Sequence, residues 1–342
     1  MLKEVSAREF IDNFYSFDLV IDARSPKEFS ESHIPTAKNF YALNDSEHKE
    51  IGTIYKQSSK SVAKIRGANY ICKNTSDHLN RLEKELPIGS RVGIYCARGG
   101  LRSTSIATIL SFSEYRVYRI KSGYKEYRKF ILNYLDSFEH KNFITLGGNT
   151  GCGKSELIRS LSPSIDLEGL ANHFGSTFGM VNGAQPTQKM FENSLAHNLL
   201  KIDPKEKIFV EGESKKIGNI IQPSLFYKRI QEGFRVEITA PLEQRVQRIL
   251  KDYANIDDEY FFWCMQRIKP YIKRSARVEV IESYKKGNLE KVAEILLIDY
   301  YDKVYKKPAR VDLTLDNSNP KETLKVLESI SKNPSIYQRE EI

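Results

Sequence analysis

Phe143-Ile144-Thr145-Leu146-Gly147-Gly148-Asn149-Thr150-Gly151-Cys152-Gly153-Lys154-Ser155 reads as an apolar strand, a glycine-rich turn and the first residues of a helix. Its second part, Gly148 to Ser155, satisfies the phosphate-loop pattern Gly-x4-Gly-Lys-Ser, and a strand before it with a helix from about Glu156 is the context that pattern requires. Backbone N–H groups of Gly148, Asn149, Thr150, Gly151, Cys152 and Gly153 would wrap phosphate oxygens. Lys154 would meet the terminal phosphate, and Ser155 could ligate Mg²⁺. Cys152 occupies a variable position, where a small residue fits.

Downstream, Met190, Phe191, Leu195 and Leu199 have helical spacing, and Ile208-Phe209-Val210 and Val236-Glu237-Ile238 read as further strands. Residues 241–309 are helical by pattern and rich in Arg, Lys and Tyr. Val311 to Leu315 then reads as a returning strand, and Pro320 opens a last helix. This alternation predicts a doubly wound, P-loop kinase-like parallel sheet over 141–342, with a helical insertion at about 241–309. Ile208 to Val210 runs into Glu211-Gly212-Glu213, the usual place for a Mg²⁺-organising acid. The sequence does not choose between Glu211 and Glu213.

Upstream, Leu19-Val20-Ile21 ending at Asp22 and Arg91 to Tyr95 ending at Cys96 have the form of buried parallel strands. A helical run from Ser103 to Leu110 follows, so Cys96 should face a helix N-terminus across a tight loop. Such a loop favours a thiolate and cradles an anion. Arg98 and Arg102 would add positive charge, Gly99 and Gly100 would permit the turn, and Ser103 would close it. A first domain is expected over 1–130 and a linker over 131–140, where 121–140 reads as polar helix and linker.

The Cys96 loop, with Val20-Ile21-Asp22-Ala23-Arg24, Glu28-Phe29 and Ser32-His33-Ile34-Pro35, resembles the rhodanese family, although Ser32 and Thr36 stand where that family usually has glycine. Five residues separate Cys96 from Arg102, one more than in sulfur-transferring rhodaneses and as many as in related phosphatases. A wider loop suits a tetrahedral oxyanion, selenophosphate included. Further segments are more specific: Asp166-Leu167-Glu168-Gly169-Leu170-Ala171-Asn172-His173, Gly175 to Gly179, Gln185 to Gln188, and Glu211 to Gly218. With the Cys96 loop they look like the tRNA 2-selenouridine synthase family along nearly the whole chain. Phe174 and Gly212 depart from that family's pattern.

The resemblance implies an α/β protein, rhodanese-like then P-loop, that replaces the sulfur of wobble 2-thiouridine by selenium. Selenophosphate and geranyl diphosphate would be its co-substrates, tRNA its partner, and an enzyme supplying selenophosphate a second partner. Cys96 would deliver selenium from the anion its loop holds. The Walker A loop would hold the diphosphate whose departure accompanies alkyl transfer, since a thioether leaves carbon 2 far more readily than a thiocarbonyl sulfur. Glu168, Asn172 and His173 are further candidates near the phosphate site, with a structural histidine as the ordinary reading of His173.

The chain of 342 residues carries a formal charge of +9, which favours a polyanionic partner. Between 267 and 277 lie Arg267, Lys269, Lys273, Arg274 and Arg277 without an acid, and with Tyr271 among them. On a helix they would offer phosphate contacts to tRNA, as would Lys215 and Lys216. Tyr253, Tyr260, Phe261, Phe262 and Trp263 read as core, or as a pocket for a geranyl chain. The four cysteines lack paired spacing, which argues against a zinc site or disulfides and suits a cytoplasmic protein. No run approaches the roughly 20 apolar residues of a membrane span. Three rivals stay open: a small-molecule kinase with an appended rhodanese module, a phosphatase acting through Cys96, and a non-catalytic tRNA-binding scaffold. Oligomeric state is not legible from the sequence.

Overall fold

A computed structural model describes residues 1–180, 183–252, 256–305 and 308–332. Tyr253 lies outside the described residues. The chain forms two compact units: Met1–Ser137 with Thr187–His197, and Phe138–Pro186 with Asn198–Ile342.

The first unit is built on five parallel strands: β1 (Leu2–Val5), β2 (Leu19–Asp22), β3 (Lys38–Asn39), β4 (Arg91–Tyr95) and β5 (Arg116–Ile120), in the order β1-β5-β4-β2-β3. Every residue of β2 is buried, as expected of a strand covered on both faces. Val92 and Ile94 of β4 meet Ile21, Ile106, Ala107 and Leu110 in the core. The helices Asp45–Gln57 and Lys60–Glu85 fill the interval between β3 and β4. The first opens on a capping box of Asn44 and Glu47.

Two features differ from the sequence expectation. The helix Gly123–Ser137 runs through most of the expected linker, because Ile131 and Leu135 continue its buried face. The helix Gln188–Leu199, expected in the second domain, instead contributes its residues up to His197 to the first unit. There Asn193, fully buried, donates to His33 O and Tyr124 Oη (both 2.8 Å) and accepts from Arg128 Nη1 at 2.6 Å. These bonds use both amide hydrogens and the amide oxygen, and sequence periodicity does not register them.

The second unit carries β6 (Phe143–Gly147), β7 (Ser164–Ile165), β8 (Ile208–Glu211), a hairpin of β9 (Lys216–Ile217) and β10 (Ile220–Ile221), β11 (Phe234–Thr239) and β12 (Leu313–Asp316). Its main sheet is parallel throughout, in the order β12-β11-β6-β8-β7. Chain order reverses at β6, so the carboxyl end of β6 is the topological switch point where open α/β sheets bind ligands. The insertion between β11 and β12 is helical as expected: Leu242–Asp252, Asp258–Arg267, Arg274–Lys285, Leu289–Leu296, a π-helical turn Leu297–Tyr301, and Asp302–Val304. It has its own apolar core of Phe261, Met265, Ile268, Val280, Ile295 and Leu297. No described helix is long and apolar enough to cross a membrane.

Candidate functional site

In the first unit, β4 delivers Cys96 to the foot of the helix Leu101–Phe112, whose N-cap, Gly100, makes no side-chain hydrogen bond. The Cys96 thiol is buried. Ser103 Oγ donates to its Sγ at 3.1 Å, and Gly100 O lies 3.7 Å away. The loop is tight where it passes Gly99, at φ +65°, since a Cβ there would lie 1.8 Å from Lys121 O. Gly100, expected to serve the same purpose, has open space around its Cβ position and a negative φ, so only Gly99 of the pair is demanded by geometry. Gly123, at φ +63°, lets the next helix start close beneath the loop, where Tyr124 N donates to Cys96 O at 2.8 Å.

Arg102 is held by Glu28, with Nη1 to Oε2 at 2.5 Å, while Arg98 is exposed. Glu28 is itself anchored as the N3 residue of a capping box with Ser25. Burial alone would raise its carboxyl, but Arg102 and the Ser25 N–H together outweigh burial and hold it below the usual carboxylate range. The Asp22–Arg24 pair of the rhodanese-like motif plays a different part. Arg24 is buried, grips Asp22 with Nη2 to Oδ2 at 2.6 Å, donates to Ser32 O at 2.6 Å and lies 3.9 Å from the Tyr124 ring centroid. That pair ties the end of β2 to the turn at Ser32.

In the second unit, the turn after β6 has three left-handed glycines, Gly148, Gly151 and Gly153, at φ +136°, +78° and +90°. Lys154 folds back over it, with Nζ donating to Gly148 O at 2.7 Å and 3.8 Å from Cys152 Sγ. Burial opposes the Lys154 charge, but Cys152, Glu213, Glu168 and Tyr305 outweigh it and raise its pKa. Cys152 itself is buried against β6 and β11. The helical insertion braces the loop. Asn149 Nδ2 donates to Asp302 Oδ1 at 2.8 Å, Gly148 N donates to Tyr305 Oη at 2.9 Å, and Arg245 ties Thr150 O to Asp302.

A cavity of about 480 Å³ opens over this loop, with Lys154, Ser155, Arg248, Glu168, Glu213 and Arg235 among its lining residues. Ser155 Oγ donates to Glu168 Oε2 at 2.6 Å. Burial and the neighbouring Glu213 push the Glu168 carboxyl up to about 7, and burial raises Glu213 as well. The two acids left open by the sequence are thereby separated by position: Glu213 faces the cavity, while Glu211 is fully buried and accepts from Leu167 N at 2.6 Å. Among the described residues no three His, Cys, Asp or Glu side chains are arranged to hold a metal ion. Ser155 with Glu168 nonetheless suits Mg²⁺, which needs few protein ligands when phosphate oxygens supply the rest.

His173 and Asn172 shape the cavity wall without entering it. Asn172 adopts a left-handed conformation and donates to Ala184 O, while His173 Nδ1 accepts from Gly175 N at 3.1 Å. Burial lowers the His173 pKa. The loop these residues shape, Gly175 to Thr177, forms one wall.

A second, apolar pocket of about 310 Å³ shares Ile249 and Tyr301 with this cavity, and Phe178, Phe261, Tyr284, Leu289 and Leu296 are among its other walls. Phe261 therefore lies where an apolar reading placed it. Phe262 and Trp263 do not: both are exposed, and Arg267 stands 4.7 Å above the Trp263 ring. The basic run is not one helix. Arg267 ends the helix Asp258–Arg267, Lys269 and Lys273 lie in the turn, and Arg274 opens the next helix. Arg267, Lys269, Tyr271, Lys273 and Arg274 are exposed there, as are Lys215 and Lys216 elsewhere, whereas Arg277 is half-buried and donates to Met265 O. Sequence reasoning missed Arg235, Arg248, Asp302 and Tyr305. For Arg235 a signal existed, because Arg235 and Glu237 put charge on one face of a strand that a parallel sheet should bury.

The fold and the two loops define a rhodanese-like domain joined to a P-loop domain. Residues 6–130 match the rhodanese-like domain family, and residues 141–265 match the tRNA 2-selenouridine synthase AAA domain. The tRNA 2-selenouridine synthase of Psychromonas ingrahamii is 32% identical over 71% of this chain and 67% of its own length. That of Hydrogenovibrio crunogenus is 31% identical over 86% of this chain and 91% of its own. A solved structure from Clostridium difficile 630, the N-terminal domain of a protein described as ATP/GTP binding, covers 39% of this chain and 99% of its own at 36% identity, with a TM-score of 0.33. The chain belongs to the tRNA 2-selenouridine synthase family.

Proposed function

We propose that this protein replaces sulfur by selenium in the wobble 2-thiouridine of tRNA, using geranyl diphosphate and then selenophosphate. One observation supports the first step above others: the polar P-loop cavity and the apolar pocket share the walls Ile249 and Tyr301. Together they offer a diphosphate seat beside an isoprenoid seat, the two chemistries geranyl diphosphate combines. The thiocarbonyl sulfur attacks carbon 1 of the geranyl group, an S–C bond forms, the C–O bond to diphosphate breaks, and the ring N3–H gives up its proton to solvent, which leaves the S-alkylated base neutral. Lys154 and the loop amides stabilise the charge on the departing diphosphate. Mg²⁺, held by Ser155 and Glu168, would supply further charge neutralisation there.

The second step belongs to the Cys96 loop, where the helix N-terminus and Arg102 suit the selenophosphate anion. Selenium adds to carbon 2, geranylthiolate leaves and takes a proton, and water cleaves the P–Se bond to give phosphate. The exposed cations about Lys269 and Arg274, with Lys215 and Lys216, suit the tRNA backbone. Incubating the protein with 2-thiouridine tRNA and geranyl diphosphate alone should yield S-geranyl-2-thiouridine by nucleoside mass spectrometry. Geranyl diphosphate left intact by folded protein would refute this assignment.

A further inference from the structure

The P-loop cavity contains a cation that neither the phosphate-loop pattern nor the family assignment uses. Arg235 projects from β11 to the carboxyl ends of β6 and β8. A Cβ on Gly147 would lie 2.6 Å from Glu237 Oε2 and 3.1 Å from Arg235 Nη2, and a Cβ on Gly212 also 3.1 Å from Nη2, so both glycines leave room for the guanidinium. Among the described residues that guanidinium has no hydrogen-bond or ion-pair partner, and its Nε is buried. Glu237, on the same face of the strand and also beside Gly147, makes no hydrogen bond to it: Oε1 accepts from Tyr305 Oη at 2.8 Å, and Oε2 is without a partner. Beside the P-loop, Arg245 and Arg248 are committed to protein partners, while Arg159, which also lines the cavity, is exposed. Arg245 pairs with Asp302, and Arg248 donates to Gly151 O and Asn317 O.

A half-buried guanidinium without a hydrogen-bonded anion costs free energy that a ligand can return. Lys154 Nζ sits on Gly148 O, one residue along from Gly147. Two cations thus flank a single peptide link at the end of β6, in one cavity, and among the described residues no carboxylate is hydrogen-bonded to either. We infer that Arg235 is a second anion anchor: the P-loop and Lys154 take one phosphoryl group of a diphosphate, and Arg235 takes the other. This rests on the reading of the cavity as a diphosphate site and adds to it the requirement for two linked phosphoryl groups. Guanidinium is suited to the task because it presents paired donors to one phosphoryl group.

The test is calorimetric titration of the full chain with inorganic pyrophosphate and, separately, orthophosphate. Wild type should bind pyrophosphate more tightly than orthophosphate by about tenfold or more, the worth of a charged hydrogen-bonding group. Arg235→Gln should lose that advantage while keeping its orthophosphate affinity. Arg235→Lys, which keeps the charge and guards against a folding defect in the glutamine variant, should fall between. Lys154→Ala should weaken both ions. Equal pyrophosphate affinity in wild type and Arg235→Gln overturns this inference alone. A folded wild type that binds neither ion overturns the diphosphate reading and this inference with it.

Discussion

The Ser155 hydroxyl of the P-loop donates to the Glu168 carboxylate at 2.6 Å, so the residue expected to meet Mg²⁺ is tied to an acid whose pKa stands near 7. Burial and Glu213 both raise Glu168 above its value in the unfolded chain. The folded state therefore holds that proton more tightly than the unfolded state does. This contribution to stability is complete below about pH 4.5 and is lost as pH rises through about 7. Thermal melts of the second domain should fall over that window, and Glu168→Gln, which keeps a hydrogen-bond acceptor for Ser155, should flatten the slope. An unchanged slope in the variant would assign the proton elsewhere.

Thr36 occupies a left-handed conformation at φ +68° although it is β-branched and exposed. Thr36→Gly removes a strain of about 1–2 kcal/mol and returns part of it as unfolded-chain entropy. The first domain should gain up to about 1 kcal/mol, seen as a rise in its melting temperature. The other departure from the rhodanese pattern, Ser32, is extended at φ −173°, where glycine confers nothing, and Ser32→Gly should bring no gain.

Leu289 lines the apolar pocket and is partly exposed, so a charge there spoils the pocket without opening the core. Leu289→Glu should raise the KM for geranyl diphosphate about tenfold or more, as expected for placing a carboxylate against an apolar chain, and leave inorganic pyrophosphate binding unchanged. A parallel loss of both would place the isoprenoid elsewhere.

Glu28 orients Arg102 beside the Cys96 loop. Glu28→Gln keeps the shape and weakens the ion pair, so selenium transfer should slow by roughly tenfold while geranylation proceeds at the wild-type rate. Equal slowing of both steps, followed by separate assays, would count against a positioning role.

Both sheets and both loops were legible because their signals are local. An apolar run ending at Cys96 and another ending at the Gly148–Ser155 loop each mark a strand, a turn and a helix start. The helical insertion was legible for the same reason. What escaped were relations over long stretches of chain. Asn193 completes its hydrogen bonds on Tyr124 and His33, and Tyr305 reaches Gly148 across 157 positions. The break in the basic run from Arg267 to Arg277 escaped too, because basic residues carry no apolar period to reveal the turn between two helices.

The proposed reaction is divided between two sites, and nucleoside mass spectrometry on 2-thiouridine tRNA supplied with geranyl diphosphate and selenophosphate tests that division directly. Wild type should give 2-selenouridine, Cys96→Ala should accumulate S-geranyl-2-thiouridine, and Lys154→Ala should leave most of the 2-thiouridine untouched. Selenouridine formed by Cys96→Ala at the wild-type rate, or unaltered tRNA from folded wild type, would contradict it.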